Sequence, residues 1–165
     1  MLESKQTVKQ SESSQNIHAM SAGVFATIFM TIAMYAGRIF QFPHIDIFHI
    51  LGNLFTTKYW MSTAMGVILH FLSGAVFSLS YVRLWQSSVG KASYFWGFVF
   101  GAIHGVLANL LLRFLLPRHP RPAQTWDSSN SLVYIFTHLV FGVFVVIFYQ
   151  NDATKFMEPD DAKPE

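Results

Sequence analysis

The chain has 165 residues, of which 52% are apolar and only 12% charged, with a formal net charge of +2. A soluble domain carries about a quarter charged residues, and a weak, dispersed positive balance gives no footprint for nucleic acid. There is no cysteine, which excludes disulfides, thiolate catalysis and a Cys-ligated iron–sulfur cluster. The composition points instead to one integral membrane domain with short polar ends.

Residues 1–17 contain Ser, Gln, Glu and Lys without an apolar period and read as a disordered polar tail. The first span is expected from about His18 to Phe40, near the roughly 20 residues a helix needs to cross the hydrocarbon core. It does not read as a cleavable signal: the polar lead is long, the run exceeds an h-region, and further spans follow. The N-terminus is therefore expected to be retained.

The link that follows carries Pro43, His44, Asp46 and His49. Ile47, Phe48, Ile50, Leu51, Leu54 and Phe55 recur at helical spacing behind an Asp46 N-cap. This predicts a short amphipathic helix over about 46–56, lying in the interface or re-entering the bilayer. The second span is expected from about Tyr59 to Tyr81 and the third from about Tyr94 to Leu116, closed by Pro117. The connection from Pro117 to Ser129 is proline-rich and basic, the fourth span runs from about Asn130 to Tyr149, and residues 150–165 form a hydrophilic tail. The runs are continuously apolar, so a β-barrel with alternating strands is excluded. The expected fold is an all-α polytopic bundle of four transmembrane helices plus one short amphipathic helix.

Four spans put both termini on one side. Lys5, Lys9, Arg83, Lys91, Lys155 and Lys163 fall on that side, and Arg38, Lys58, Arg113, Arg118 and Arg121 on the other. Six against five gives no orientation under the positive-inside rule. Trp60, Trp85, Trp96 and Trp126 all fall near span ends, where interface anchors belong.

Spans two and four share a pattern. His70, Gly74 and Tyr81 repeat as His138, Gly142 and Tyr149 with identical spacing, H-x3-G-x6-Y. Offsets of four and eleven hold the three side chains on one helical face. A tandem duplication of a two-helix hairpin accounts for this, with the second and fourth spans related by a pseudo-two-fold axis along the membrane normal. Chance recurrence of Gly and Tyr in membrane helices is the plainer alternative.

The best lead to function is three histidines, His70, His104 and His138, each near the middle of a span. An ionisable group at mid-depth is costly unless it faces the protein interior and finds a partner. Three readings follow. His70 and His138 could ligate a b-type haem, with His104 as an alternative ligand and Gly74 and Gly142 leaving space for the macrocycle. Three imidazoles could also bind Zn, Cu or Fe, though the spans hold no Asp or Glu to balance the charge. A proton or substrate pathway is the second reading, weakened by the same missing carboxylates. The third is structural: each ring bonds a neighbouring helix, with Ser73, Ser78, Ser80, Thr137 and Asn109 as candidate partners.

A second polar group, His44, Asp46, His49 and His119 with Asp127, has metal-ligand chemistry. His44 and His49 are five apart and do not share a helical face, so a solvated polar face is the plainer reading. Arg113, Arg118 and Arg121 suit anionic lipid headgroups. No phosphate loop, H-E-x-x-H or G-x-S-x-G is present.

Asp46-Ile-Phe-His-Ile-Leu-Gly52, Ala64-Met-Gly66-Val-Ile-Leu-His70-Phe-Leu-Ser-Gly74, Tyr81, Gly97, Phe100-Gly101 and His138-Leu-Val-Phe-Gly142 resemble a family of small, largely uncharacterised bacterial four-helix membrane proteins. The likeness covers roughly residues 20–150. It implies a four-helix fold and placement in a bacterial inner membrane, and carries no established activity. Taken together, the expectation is a non-catalytic accessory subunit of a larger membrane complex, a respiratory or electron-transfer complex being one such, in contact with other subunits and with lipid. A haem-b electron carrier and a small oligomeric transporter or channel stand as alternatives.

Overall fold

A computed structural model describes the backbone of residues 2–42, 46–88, 93–115 and 128–155, and the side chains of 12–42, 46–88, 93–114 and 131–150. Backbone polar groups inside a bilayer must be satisfied within the chain, and long apolar runs without proline meet that demand as helices. The elements are α1 (Leu2–Ala36), a 3-10 turn (Gly37–Phe40), α2 (Ile47–Gly52), α3 (Tyr59–Ser88), α4 (Tyr94–Leu115) and α5 (Ser128–Lys155). Four stretches, 12–40, 59–88, 94–114 and 131–150, are long and apolar enough to cross a membrane. The chain is thus an all-α, membrane-integral four-helix bundle with one short additional helix.

The polar lead departs from expectation. α1 begins at Leu2, so the segment expected to be disordered continues the first span as helix. The span supplies the nucleus, and extending a formed helix needs only residues of adequate propensity. Glu3, Lys5, Gln6, Lys9 and Gln10 are such residues, and the first glycine is Gly23.

α1 packs against both α3 and α5, α4 packs against α5, and α2 packs against α3. Along the α1–α5 seam the rings of Phe29 and Phe144 stack with centroids 4.3 Å apart, and Phe25 meets Phe148 at 5.5 Å. In lipid the gain from such contacts is close packing rather than escape from water.

The glycines of the repeat make two of the tight crossings. A Cβ on Gly74 would strike Thr27 Oγ1 of α1, and one on Gly23 would strike the Gly74 carbonyl. A Cβ on Gly142 would strike the Gly97 carbonyl of α4. Each repeat glycine therefore meets a glycine of the span that precedes it in sequence. Hydroxyls bind the same seams: Ser78 Oγ donates to the Ala19 carbonyl at 2.6 Å, and Thr27 Oγ1 to its own helix at Gly23, 2.8 Å.

One seam breaks the symmetry. A two-fold axis relating α1 to α4 and α3 to α5 would match α1–α5 contact with α4–α3 contact. α3 and α4 instead stand apart, bridged by side chains: Phe77 on His104 with centroids 3.9 Å apart, and Tyr81 on Phe100 at 4.5 Å.

α2 closes one end of the bundle. Asp46 Oδ1 accepts from the His49 backbone N–H at 3.2 Å, the N-cap the sequence predicts. The helix then folds back along α3. A Cβ on Gly52 would strike the Ser62 carbonyl, and one on Gly66 the Phe48 carbonyl. Gly66 lies seven residues into α3, about 10 Å below its start at 1.5 Å per residue. Fully buried Ser62 pins the return: its hydroxyl lies 3.1 Å from His49 Nδ1, 3.0 Å from the His49 carbonyl and 2.7 Å from Asn53 Oδ1. Ser62→Ala leaves these groups without their shared partner and is expected to cost about 1–3 kcal/mol. Faster proteolysis of the 42–58 segment, with the four spans intact, is the check; unchanged cleavage would remove Ser62 from this role.

Candidate functional site: a histidine cavity on the open seam

The open α3–α4 seam contains a cavity of about 210 Å³. His70 and Phe77 line it from α3, His104 and Leu112 from α4, Tyr134, His138 and Phe141 from α5, Met30 from α1 and Leu51 from α2. All three mid-span histidines thus reach one place. Each is nearly sealed from the surface, with exposures of 7% for His70, 9% for His104 and 3% for His138.

Their partners differ from those expected. His138 Nδ1 lies 2.7 Å from the Tyr134 carbonyl. A carbonyl only accepts, so Nδ1 carries the proton and donates. In the neutral ring Nε2 is then bare. His104 meets His138 edge to face with centroids 4.7 Å apart, and its Nδ1 is buried with no hydrogen-bond partner among the described residues. His70 Nε2 lies 3.4 Å from Thr31 Oγ1 of α1, and its ring meets Phe48 at 5.4 Å. The hydroxyls read as partners go elsewhere: Ser73 to the His70 carbonyl, Ser78 to Ala19, Ser80 to Val76 and Thr137 to Tyr134. Asn109 Oδ1 lies 3.5 Å from Ser131 Oγ. Thr31 was missed because sequence alone does not say which face of α1 turns toward α3.

His104 and His138, as placed, do not fit as the two axial ligands of one haem iron. Two imidazoles across one iron, at about 2 Å per bond, keep their nitrogens about 4 Å apart and their ring centres on the order of 6 Å apart. His104 and His138 are closer than that. The space expected beside Gly142 is filled by Gly97 and Gly101 of α4, whereas Gly74 packs on Thr27 and also lines the cavity. The cavity is also below the roughly 300 Å³ at which pockets for drug-sized ligands begin.

Among the described residues no group of three or more His, Asp or Glu is gathered to hold a metal ion. This bears on the second polar cluster too. Asp46 caps α2, and His49 is 7% exposed and bonded to Ser62, so it forms no solvated face. His44 and His119 lie outside the described residues, as do Arg118 and Arg121. Arg113 donates to Ser131 Oγ of α5 at 3.1 Å, which ties the end of α4 to α5.

No family model, curated protein or solved structure matches the chain. The likeness to small bacterial four-helix membrane proteins therefore rests on the short motifs alone.

Proposed function

We propose that this membrane-integral protein is a non-catalytic subunit of a larger membrane assembly. The carrying observation is how its buried polar groups are engaged. Ser78, Thr31 with His70, Arg113 with Ser131, and Ser62 with His49 link one element to another, and no Asp or Glu lies within 18–40, 59–81, 94–116 or 130–149. Such chemistry holds helices together and offers neither an acid–base pair nor a charged path for a solute. The transporter reading loses support on the same ground, and a haem held between His104 and His138 loses it on their geometry.

The test is extraction of the full chain from its native membrane in mild detergent, followed by two orthogonal separations by size and charge. The proposal predicts a colourless protein that keeps fixed companion polypeptides at constant ratio through both steps. A monomer or homo-oligomer free of companions would overturn it. A reduced-minus-oxidised haem band that tracks the polypeptide and vanishes in His70→Ala would overturn the proposal in favour of an electron carrier.

A further inference from the structure

The same open seam holds a second cavity nearer the ends of α3 and α4, of about 250 Å³. Tyr81, Leu84 and Trp85 line it from α3, and Trp96, Phe100 and Ile103 from α4. The lining is mostly apolar; Ser88 adds a hydroxyl, which lies 3.4 Å from Ser87 Oγ. Tyr81 and Trp85, 3% and 5% exposed, bring a phenol and an indole N–H, and neither Tyr81 Oη nor Trp85 Nε1 has a hydrogen-bond partner among the described residues. The two residues are four apart, on one face of α3. Trp85, near a span end as an interface anchor should be, is packed between Tyr81, at 5.4 Å, and Tyr149, at 5.4 Å.

Buried Tyr and Trp usually find an acceptor for their O–H and N–H. Two adjacent donors without one, beside an apolar cavity, call for a ligand with an acceptor oxygen on an apolar body. Depth narrows the choice. Tyr81 and Trp85 lie 11 and 15 residues beyond His70, about 16 and 22 Å along the helix. With His70 at mid-bilayer, this is the zone between the hydrocarbon edge, about 15 Å from the centre, and the headgroups, out to about 22 Å. Fatty-acyl ester carbonyls occupy that zone, with their chains running toward the centre.

We infer that the outer α3–α4 cavity is a site for a diacyl phospholipid, its ester carbonyl accepting from Tyr81 Oη and Trp85 Nε1 and its acyl chain lying against Leu84, Phe100 and Ile103. Both donor atoms are covered in the structure, so the carbonyl reaches them through a small shift of the two side chains. This site needs no partner subunit and goes beyond the accessory role proposed above.

The test uses the full chain, labelled with 15N-tryptophan, in an ester-free detergent. The indole signal of Trp85 is the one lost in Trp85→Phe. Titration with dioleoylphosphatidylglycerol is expected to move that signal downfield saturably, whereas the diether analogue, which lacks the carbonyls, leaves it in place. Tyr81→Phe is expected to weaken the titration several-fold. Native mass spectrometry supplies a second readout: one retained ester lipid in the wild type, lost in Tyr81→Phe. A signal that ester and diether lipid move equally, or that neither moves, overturns the site. A signal moved by a short-chain quinone but not by the ester overturns the choice of ligand.

Discussion

Gly142→Ala is expected to unseat α4 from α5. The new methyl would strike the Gly97 carbonyl and sit 3.0 Å from the Gly101 Cα and amide nitrogen. These are backbone atoms of another helix, so no side-chain rotation makes room and α4 must move as a body. Overpacking costs about 1–3 kcal/mol when side chains absorb it, and this substitution belongs at or above the top of that range. Gly74→Ala is the comparison. There the nearest atom is the Thr27 hydroxyl, with the next contacts at 3.2 and 3.3 Å. A hydroxyl can turn aside, at the loss of one intrahelical bond, and the expected cost is about 1 kcal/mol. Unfolding in mixed micelles, followed by helix content, measures both. Equal costs would show that the two crossings are equally tight.

Phe141→Ala is the second large effect. Phe141 is fully buried, lines the histidine cavity and meets His104 edge to face at 5.6 Å. Phe-to-Ala truncations in protein cores cost about 3–5 kcal/mol. In a bilayer the lost term is packing, since lipid is as apolar as the side chain, so the lower end of that range is expected. The void joins the existing cavity beside His138 and admits water. Hydrogen exchange at the His138 ring should accelerate strongly in bilayers, with little change at Ser78 on the far seam. Unchanged exchange at His138 would mean that Phe141 does not seal the cavity.

The four spans were legible because a continuous apolar run of the right length has one common solution in a membrane. The Asp46 cap was legible because a carboxylate before an apolar period has a local role. The H-x3-G-x6-Y repeat was legible as a pattern, but not the different surroundings of its glycines: Gly142 is closed off by Gly97, whereas Gly74 packs on Thr27 and lines the cavity. Which helix faces which glycine is a tertiary fact, and Gly23 and Gly97 carry no local mark of it. The same holds for Thr31 beside His70. Trp85 shows the limit of position as a guide: a place near a span end marks an anchor but does not say that rotation of α3 turns it inward. The gap between α3 and α4 left no trace in composition, because both cavities are lined by residues that would suit a closed seam as well.

The convergence of the mid-span histidines is the central claim. It is tested most directly by solid-state NMR on the full chain, 13C,15N-labelled at histidine, in bilayers. A ring-to-ring cross-peak between His104 and His138 is predicted from their 4.7 Å separation, together with a His138 signature of protonated Nδ1 and bare Nε2 from its bond to Tyr134. The cross-peak should vanish in His104→Phe. Absence of the cross-peak in a folded wild-type sample, or a His138 ring protonated at Nε2 alone, would contradict the arrangement of α4 against α5 on which the site depends.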